Sequence, residues 1–130
     1  MDIFIYSGSS ETSVQFKKIV VALSQRGNII VNQNLIERAT RGEHIDDTQK
    51  YELTLSALKK ATLCIFESSA PHFYDGFFLS LALNRKLTSI ICTNSTANSN
   101  YIEGCTNPLC YVRHYRDLKD LIYQLAVFGV

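Results

Sequence analysis

Between Ala61 and Leu83 the chain reads ATLCIFESSAPHFYDGFFLSLAL, and this run limits the possible folds more than any other part of the sequence. Thr62 to Phe66 is mostly β-branched or aromatic and reads as a buried strand. Glu67-Ser68-Ser69-Ala70-Pro71-His72 then forms a polar turn, and a helix opens near Phe73 and runs to about Asn84. In a parallel α/β sheet, ligands sit beyond the carboxyl ends of the strands. An acid, two hydroxyls and an imidazole at such an edge make a site candidate. Ser-Ser-x-Pro is also an ordinary helix entry, its hydroxyls capping free N–H groups, and the stretch alone fits both readings.

Composition narrows the function classes. The 130 residues are 46 % hydrophobic and 19 % charged, with a formal net charge of +1, so one domain over residues 1–130 with a single core is expected. Without a long run of one charge sign, a basic nucleic-acid-binding face is not expected. No apolar run approaches the ~20 residues of a membrane span. Met1-Asp2-Ile3-Phe4 lacks the basic start and apolar stretch of a signal peptide, so a cytoplasmic location is expected. Cys64, Cys92, Cys105 and Cys110 contain no C-x-x-C and the histidines are scattered, so no metal site is expected; in a reducing cytosol the cysteines should be free thiols.

The remaining elements follow from periodicity. Asp2 to Tyr6 reads as the first strand, followed by the small-residue turn Ser7-Gly8-Ser9-Ser10. From Glu11 a helix carries Phe16, Ile19, Val20 and Leu23 on one stripe, and Gly27 stops it. Asn28 to Val31 is a short second strand. Asn32 to Asp47 has no clear period and reads as a loop of about 16 residues, a length uncommon unless the loop works or moves. Asp46 and Asp47 open a helix over Thr48 to Lys60, with Tyr51, Leu55 and Leu58 at helical spacing. Leu87 to Cys92 is a strand, Thr93 to Asn100 a polar loop, Cys110 to Val112 a last short strand, and Arg116 to Phe128 a closing helix with Leu118, Leu121, Ile122 and Leu125 on one face.

This alternation predicts a five-stranded parallel sheet with helices on both faces, a flavodoxin-like three-layer sandwich of order 2-1-3-4-5. The crevice at the switch point then lies between the first and third strands, and Ser7-Gly8-Ser9-Ser10 meets Glu67-Ser68-Ser69 there. The first loop offers hydroxyls and N–H groups before a helix, which suits a phosphate. It is neither a Walker A loop nor G-x-G-x-x-G, so no dinucleotide or other cofactor is indicated. A plain turn capped by Ser9 or Ser10 is the alternative. Of the acids, Glu67 lies just past the third strand, Asp75 in the next helix's first turn, and Glu52 on the helix before. Asp75 also fits a simple dipole-matching charge, Glu67 an acceptor for neighbouring N–H groups, and His72 either a general acid-base or an exposed turn residue. No Ser–His–Asp or Cys–His triad can be assigned.

The chain resembles the nucleoside 2-deoxyribosyltransferases, and in size and layout their small relatives, the 2'-deoxynucleoside 5'-monophosphate N-hydrolases. The resemblance rests on Ile5-Tyr6-Ser7-Gly8-Ser9, Thr40-Arg41-Gly42-Glu43, a helix ending in Leu58, the strand Thr62 to Phe66, the Glu67-x-x-x-Pro71 turn, Gly76 in the next helix and Asn84-Arg85-Lys86. It implies cleavage of a deoxynucleoside N-glycosidic bond by a glutamate in a Gly-aromatic-Glu triplet, assisted by an aspartate in an acid-x-Asp-Leu pattern. Here those patterns read Gly76-Phe77-Phe78 and Glu52-Leu53-Thr54-Leu55, so Phe78 and Thr54 stand where the acids belong. The family's phosphate-contacting Pro-Ser reads Pro71-His72; Gly8-Ser9 matches, and Ser99 matches a serine that reaches a partner subunit's phosphate site.

Phenylalanine has no lone pair for covalent catalysis. The resemblance therefore implies a nucleotide- or nucleoside-phosphate-binding homodimer without the standard reaction, its ligand held by Ser7, Gly8, Ser9, Ser10, Ser69, His72, Gly76, Phe78 and Ser99. Two alternatives stand beside it: an active glycosidase or transferase with Asp75 or Glu67 as relocated acid, and a protein-interaction module whose aromatics Phe73, Tyr74, Phe77 and Phe78 fill the pocket.

Overall fold

The computed structural model describes residues 1–8, 13–70, 72–94 and 104–130. Five parallel strands, β1 (Asp2–Tyr6), β2 (Ile29–Ile30), β3 (Leu63–Glu67), β4 (Thr88–Thr93) and β5 (Cys110–His114), form one sheet in the order β2-β1-β3-β4-β5. The helices are α1 (Val14–Gln25), α2 (Gln33–Thr40), α3 (Asp47–Lys60), α4 (Phe73–Asn84) and α5 (Leu118–Ala126). The predicted order is therefore the observed one.

Its cause is visible in the side-chain alternation. Ile3, Ile5, Leu63, Ile65, Ile90 and Cys92 point to one face, where Phe16, Ile19, Val20 and Leu23 of α1 and Leu121 and Leu125 of α5 cover them. Phe4, Cys64, Phe66 and Ile91 point to the other, against Ala57 and Leu58 of α3 and Phe78 and Ala82 of α4. Strands covered on both faces carry apolar residues at every position, which is why β3 is buried throughout.

The helix ends follow local chemistry. The Ser13 hydroxyl accepts from Phe16 N (3.1 Å), so Ser13 caps α1, and the helix starts at Val14 rather than Glu11. Ser9, Ser10, Glu11 and Pro71, like Ser99 and most of the polar loop after β4, lie outside the described residues. Gly27 takes φ +87° just past α1, the left-handed geometry in which glycine carries no Cβ penalty. Asp46 caps α3 and Asp117 caps α5 through their side chains.

Four expectations are corrected. The segment read as a loop from Asn32 to Asp47 contains α2. Eight residues give barely two turns, and Leu35, Ile36 and Ala39 are too few to display a period, with only Ile36 fully buried. The buried stripe of α3 is Thr54, Ala57 and Leu58; Tyr51 is 42 % exposed and Leu55 half-buried. Glu67 lies inside β3 as its last residue and pairs with Cys92 of β4. The second strand is also shorter than its apolar run. Where it stops, Asn32 continues the pairing, its Oδ1 accepting from Ile5 N (3.2 Å) and its Nδ2 donating to Ile5 O (2.7 Å).

Candidate functional site

Because β1 and β3 are neighbours in register, with Tyr6 opposite Phe66, the loops that follow them meet. Gly8 lies against His72: a Cβ on Gly8 would stand 2.8 Å from the His72 Cβ and 3.0 Å from Asp75 Oδ1. Asp75 fastens this junction. Its Oδ1 accepts from Gly8 N and its Oδ2 from His72 N, both at 2.9 Å, and the Ser68 hydroxyl is a third donor. The carboxyl is 4 % exposed, and burial pushes its pKa above the usual aspartate value against the pull of His72 N, Gly8 N and Ser68. His72, itself exposed, caps α4 through Nδ1, which accepts from Tyr74 N (3.4 Å), and its ring stacks on Tyr74. The Gly8 amide, expected to face an anion, is thus already given to a carboxylate.

Glu67 makes a second buried knot on the β4 side. Its Oε1 accepts from Ser69 N (3.1 Å), from the Ser69 hydroxyl and from Tyr115 Oη (3.2 Å). Ser69 Oγ in turn accepts from Asn94 N (2.9 Å), and Ser68 N donates to Cys92 O (2.8 Å). Burial, then the adjoining Glu67 carboxylate, pushes the Tyr115 hydroxyl above the usual tyrosine value, which keeps it a donor. Tyr115 lies 48 residues beyond Glu67 and carried no local signal.

On the α3 side of β1 the structure keeps open space. Tyr6 separates two joined hollows. One, of about 280 Å³, is lined by Asn32, Leu35, His44, Lys50 and Thr54 among others. The second, of about 350 Å³, has walls of Tyr51, Thr54, Tyr74, Phe77 and Phe78. Tyr6 meets Phe78 edge-on at 4.9 Å, and the Thr54 hydroxyl turns back to donate to Lys50 O (2.8 Å). The outer rim is braced by Glu43, which accepts from Arg38 Nε (3.0 Å) and Arg41 (3.2 Å); Arg41 first, then Arg38, hold its carboxyl below the usual range.

Of the residues singled out from the sequence, Ser7, Gly8, His72 and Asp75 come together at the junction or its approach, and Glu67 and Ser69 form the adjoining knot. Ser7 is fully buried. Phe78 lies in the open cleft, and Gly76 is exposed on α4 with open space where a Cβ would go. Asn32, His44, Asp47 and Lys50 were not singled out as site residues; the one signal pointing toward them was the unusual length of the polar segment Asn32 to Asp47, which holds the first three and ends just before Lys50. Among the described residues, no group of His, Cys, Asp and Glu could hold a metal ion, and no helix is long and apolar enough to cross a membrane.

No protein-family model matches the sequence, and comparison with curated proteins finds no match. Among solved structures, the CMP N-glycosidase BcmB of Clostridium botulinum superposes with a TM-score of 0.74 at 15 % identity, over 97 % of this chain and 98 % of that one. The likeness extends over the whole architecture and shows the fold: the three-layer α/β sandwich with its parallel sheet is shared end to end.

Proposed function

We propose that this chain is a nucleotide- or nucleoside-phosphate-binding protein of the nucleoside 2-deoxyribosyltransferase-like superfamily that lacks the N-glycosidic reaction. One observation carries the reading: the positions that resemble the family's two acids, Phe78 and Thr54, both line a cleft that has stayed open. The aromatic walls of Tyr6, Tyr51, Tyr74 and Phe77 suit stacking against a planar base. Lys50 supplies a cation on the same wall. The remaining hollow favours binding over a filled interaction module. The engagement of both Asp75 oxygens by backbone donors disfavours it as a relocated nucleophile, since a nucleophile needs a lone pair aimed at the substrate.

The partner chemistry extends to a second copy. Phe73 is 78 % exposed and Tyr74 50 %, and with Phe77 and Tyr51 they form a continuous aromatic surface beside the cleft mouth. Such a patch suits a homodimer interface. Leu58, at helical spacing from Tyr51 on the same helix, is instead part of the core.

The test is thermal shift and calorimetry across nucleoside monophosphates, cytidine monophosphate first, with the matching nucleosides alongside. A 1 mM site at tenfold ligand excess stabilises by ~1.4 kcal/mol. No shift with any monophosphate would end the binding reading. Base release by the unmodified protein that disappears in Glu67→Gln or Asp75→Asn would establish the relocated-acid enzyme instead. Restoring both acids with Phe78→Glu and Thr54→Asp should give only slight base release, because a carboxylate must stand within near-attack distance and not merely in the right sequence position. Sedimentation at micromolar concentration should show a dimer, and a monomer would remove that part of the proposal.

A further inference from the structure

We propose that a nucleotide spans both hollows of the cleft, with its base among the aromatic rings and its phosphate beside Lys50, and that Lys50 selects the monophosphate over the free nucleoside. This placement rests on the nucleotide-binding reading above. It sets the phosphate away from the loop after β1, where the sequence pattern alone would put it. The amides of that junction are already in use: Gly8 N and His72 N both donate to Asp75, each at 2.9 Å. Their acceptor is a carboxyl only 4 % exposed. An anion brought to these amides would find their protons taken and, with Asp75 ionised, would meet a like charge. Ser7 beside them is fully buried.

The cleft offers what the junction has used up. Asp47, Lys50 and Thr54 stand at i, i+3 and i+7 on α3, which is one face of a helix. All three, with Tyr6 of β1, border both hollows, so a ligand that reaches from one to the other passes this stripe. The larger hollow, with Tyr51, Tyr74, Phe77 and Phe78, suits a planar base. The smaller is bordered by polar and charged side chains. Several of these are committed elsewhere. Asn32 is paired with Ile5 through both ends of its amide, Glu43 holds Arg38 and Arg41 with its two oxygens, and the Thr54 hydroxyl gives its proton to Lys50 O. Lys50 is exposed where the two hollows join. Its ammonium, on a flexible four-carbon stem, brings three donors and a charge opposite to that of phosphate.

Asp47 supplies a test of sign. It lies one turn before Lys50 on the same face, and its carboxylate repels a phosphate that Lys50 attracts. Acting through charge, the two residues should shift the preference for monophosphate over nucleoside in opposite directions. A merely structural role would move the affinity for both ligands together and leave the preference where it was.

The experiment titrates cytidine, uridine, adenosine and guanosine monophosphates, each beside its own nucleoside, into the native chain, Lys50→Gln and Asp47→Asn, and follows amide shifts by NMR. The native chain should prefer the monophosphate, and the preference should shrink as salt is raised. It should fall about fivefold in Lys50→Gln and rise about twofold in Asp47→Asn. A preference that survives Lys50→Gln, moves the same way in both variants, or ignores salt would overturn the placement and leave nucleotide binding standing. A native chain that binds none of the monophosphates would remove the binding reading itself, and the placement with it. Both substituted side chains are exposed, and the salt dependence of the native chain reads the same charge even if a variant misfolds.

Discussion

The two sides of the Tyr6–Gly8 corner are built on opposite plans. On one side, the Gly8–His72–Asp75 junction and the Glu67–Ser69–Tyr115 knot crowd polar groups together until they satisfy one another. On the other, a cleft walled largely by aromatic rings keeps its hollow. Density of acids and hydroxyls in a sequence therefore did not mark the open space. Buried polar atoms are costly unless paired, so the residues that looked most chemical are the ones whose bonding is most fully committed within the protein. The cleft beside them keeps room for a ligand.

The sharpest way to break this contrast is Asp75→Ala. It leaves the partly buried Gly8 and His72 amides without their acceptor and should lower unfolding stability by about 2 kcal/mol or more, read as a drop in the urea midpoint at unchanged slope. Gly8→Ala should follow at about 2 kcal/mol, since its Cβ meets the His72 Cβ and the two loops must part. Glu67→Gln keeps an acceptor for Ser69 and Tyr115 but loses the charge, for a cost of about 1 kcal/mol; a neutral result would show that the knot tolerates an uncharged centre.

A subtler measurement separates burial from hydrogen bonding at Asp75. Its folded pKa is raised above the usual 3.8, so the folded chain holds this proton more tightly than the unfolded chain does. The stability this carboxyl contributes is then complete below 3.8 and falls as pH rises through the folded value. The stability advantage of the wild type over Asp75→Asn should narrow between pH 3.5 and 7. A gap that widens with pH would mean that the three donors outweigh desolvation. The smallest effect belongs to the cleft. Thr54→Val removes a hydroxyl that only bonds back to its own helix, a contact that slightly disfavours helices, and should change stability by less than ~0.5 kcal/mol while altering the affinity of whatever enters.

Much of the fold was legible because its causes are local. The alternation Ile3-Phe4-Ile5, the stripe Phe16-Ile19-Val20-Leu23 and the acids before Thr48 each declare an element within a few residues. The helix Gln33–Thr40 escaped because its apolar side chains are few and Asn32 makes no side-chain cap; that side chain is pairing with Ile5 instead. For the site, the meeting of the first and third loops could be read from strand order. What Asp75 and Glu67 do there could not, since their partners Gly8 and Tyr115 are 67 and 48 residues away.

By itself the sequence determined the order of the strands and the doubly covered sheet, because periodicity and residue identity are properties of neighbours along the chain. Tertiary structure alone decided that the Gly8 amide faces a carboxylate rather than solvent, and that Phe78 borders a hollow instead of filling it. Each of these depends on how much space and how many donors remain once separate elements have packed, and that remainder is set by contacts between residues that the chain keeps far apart.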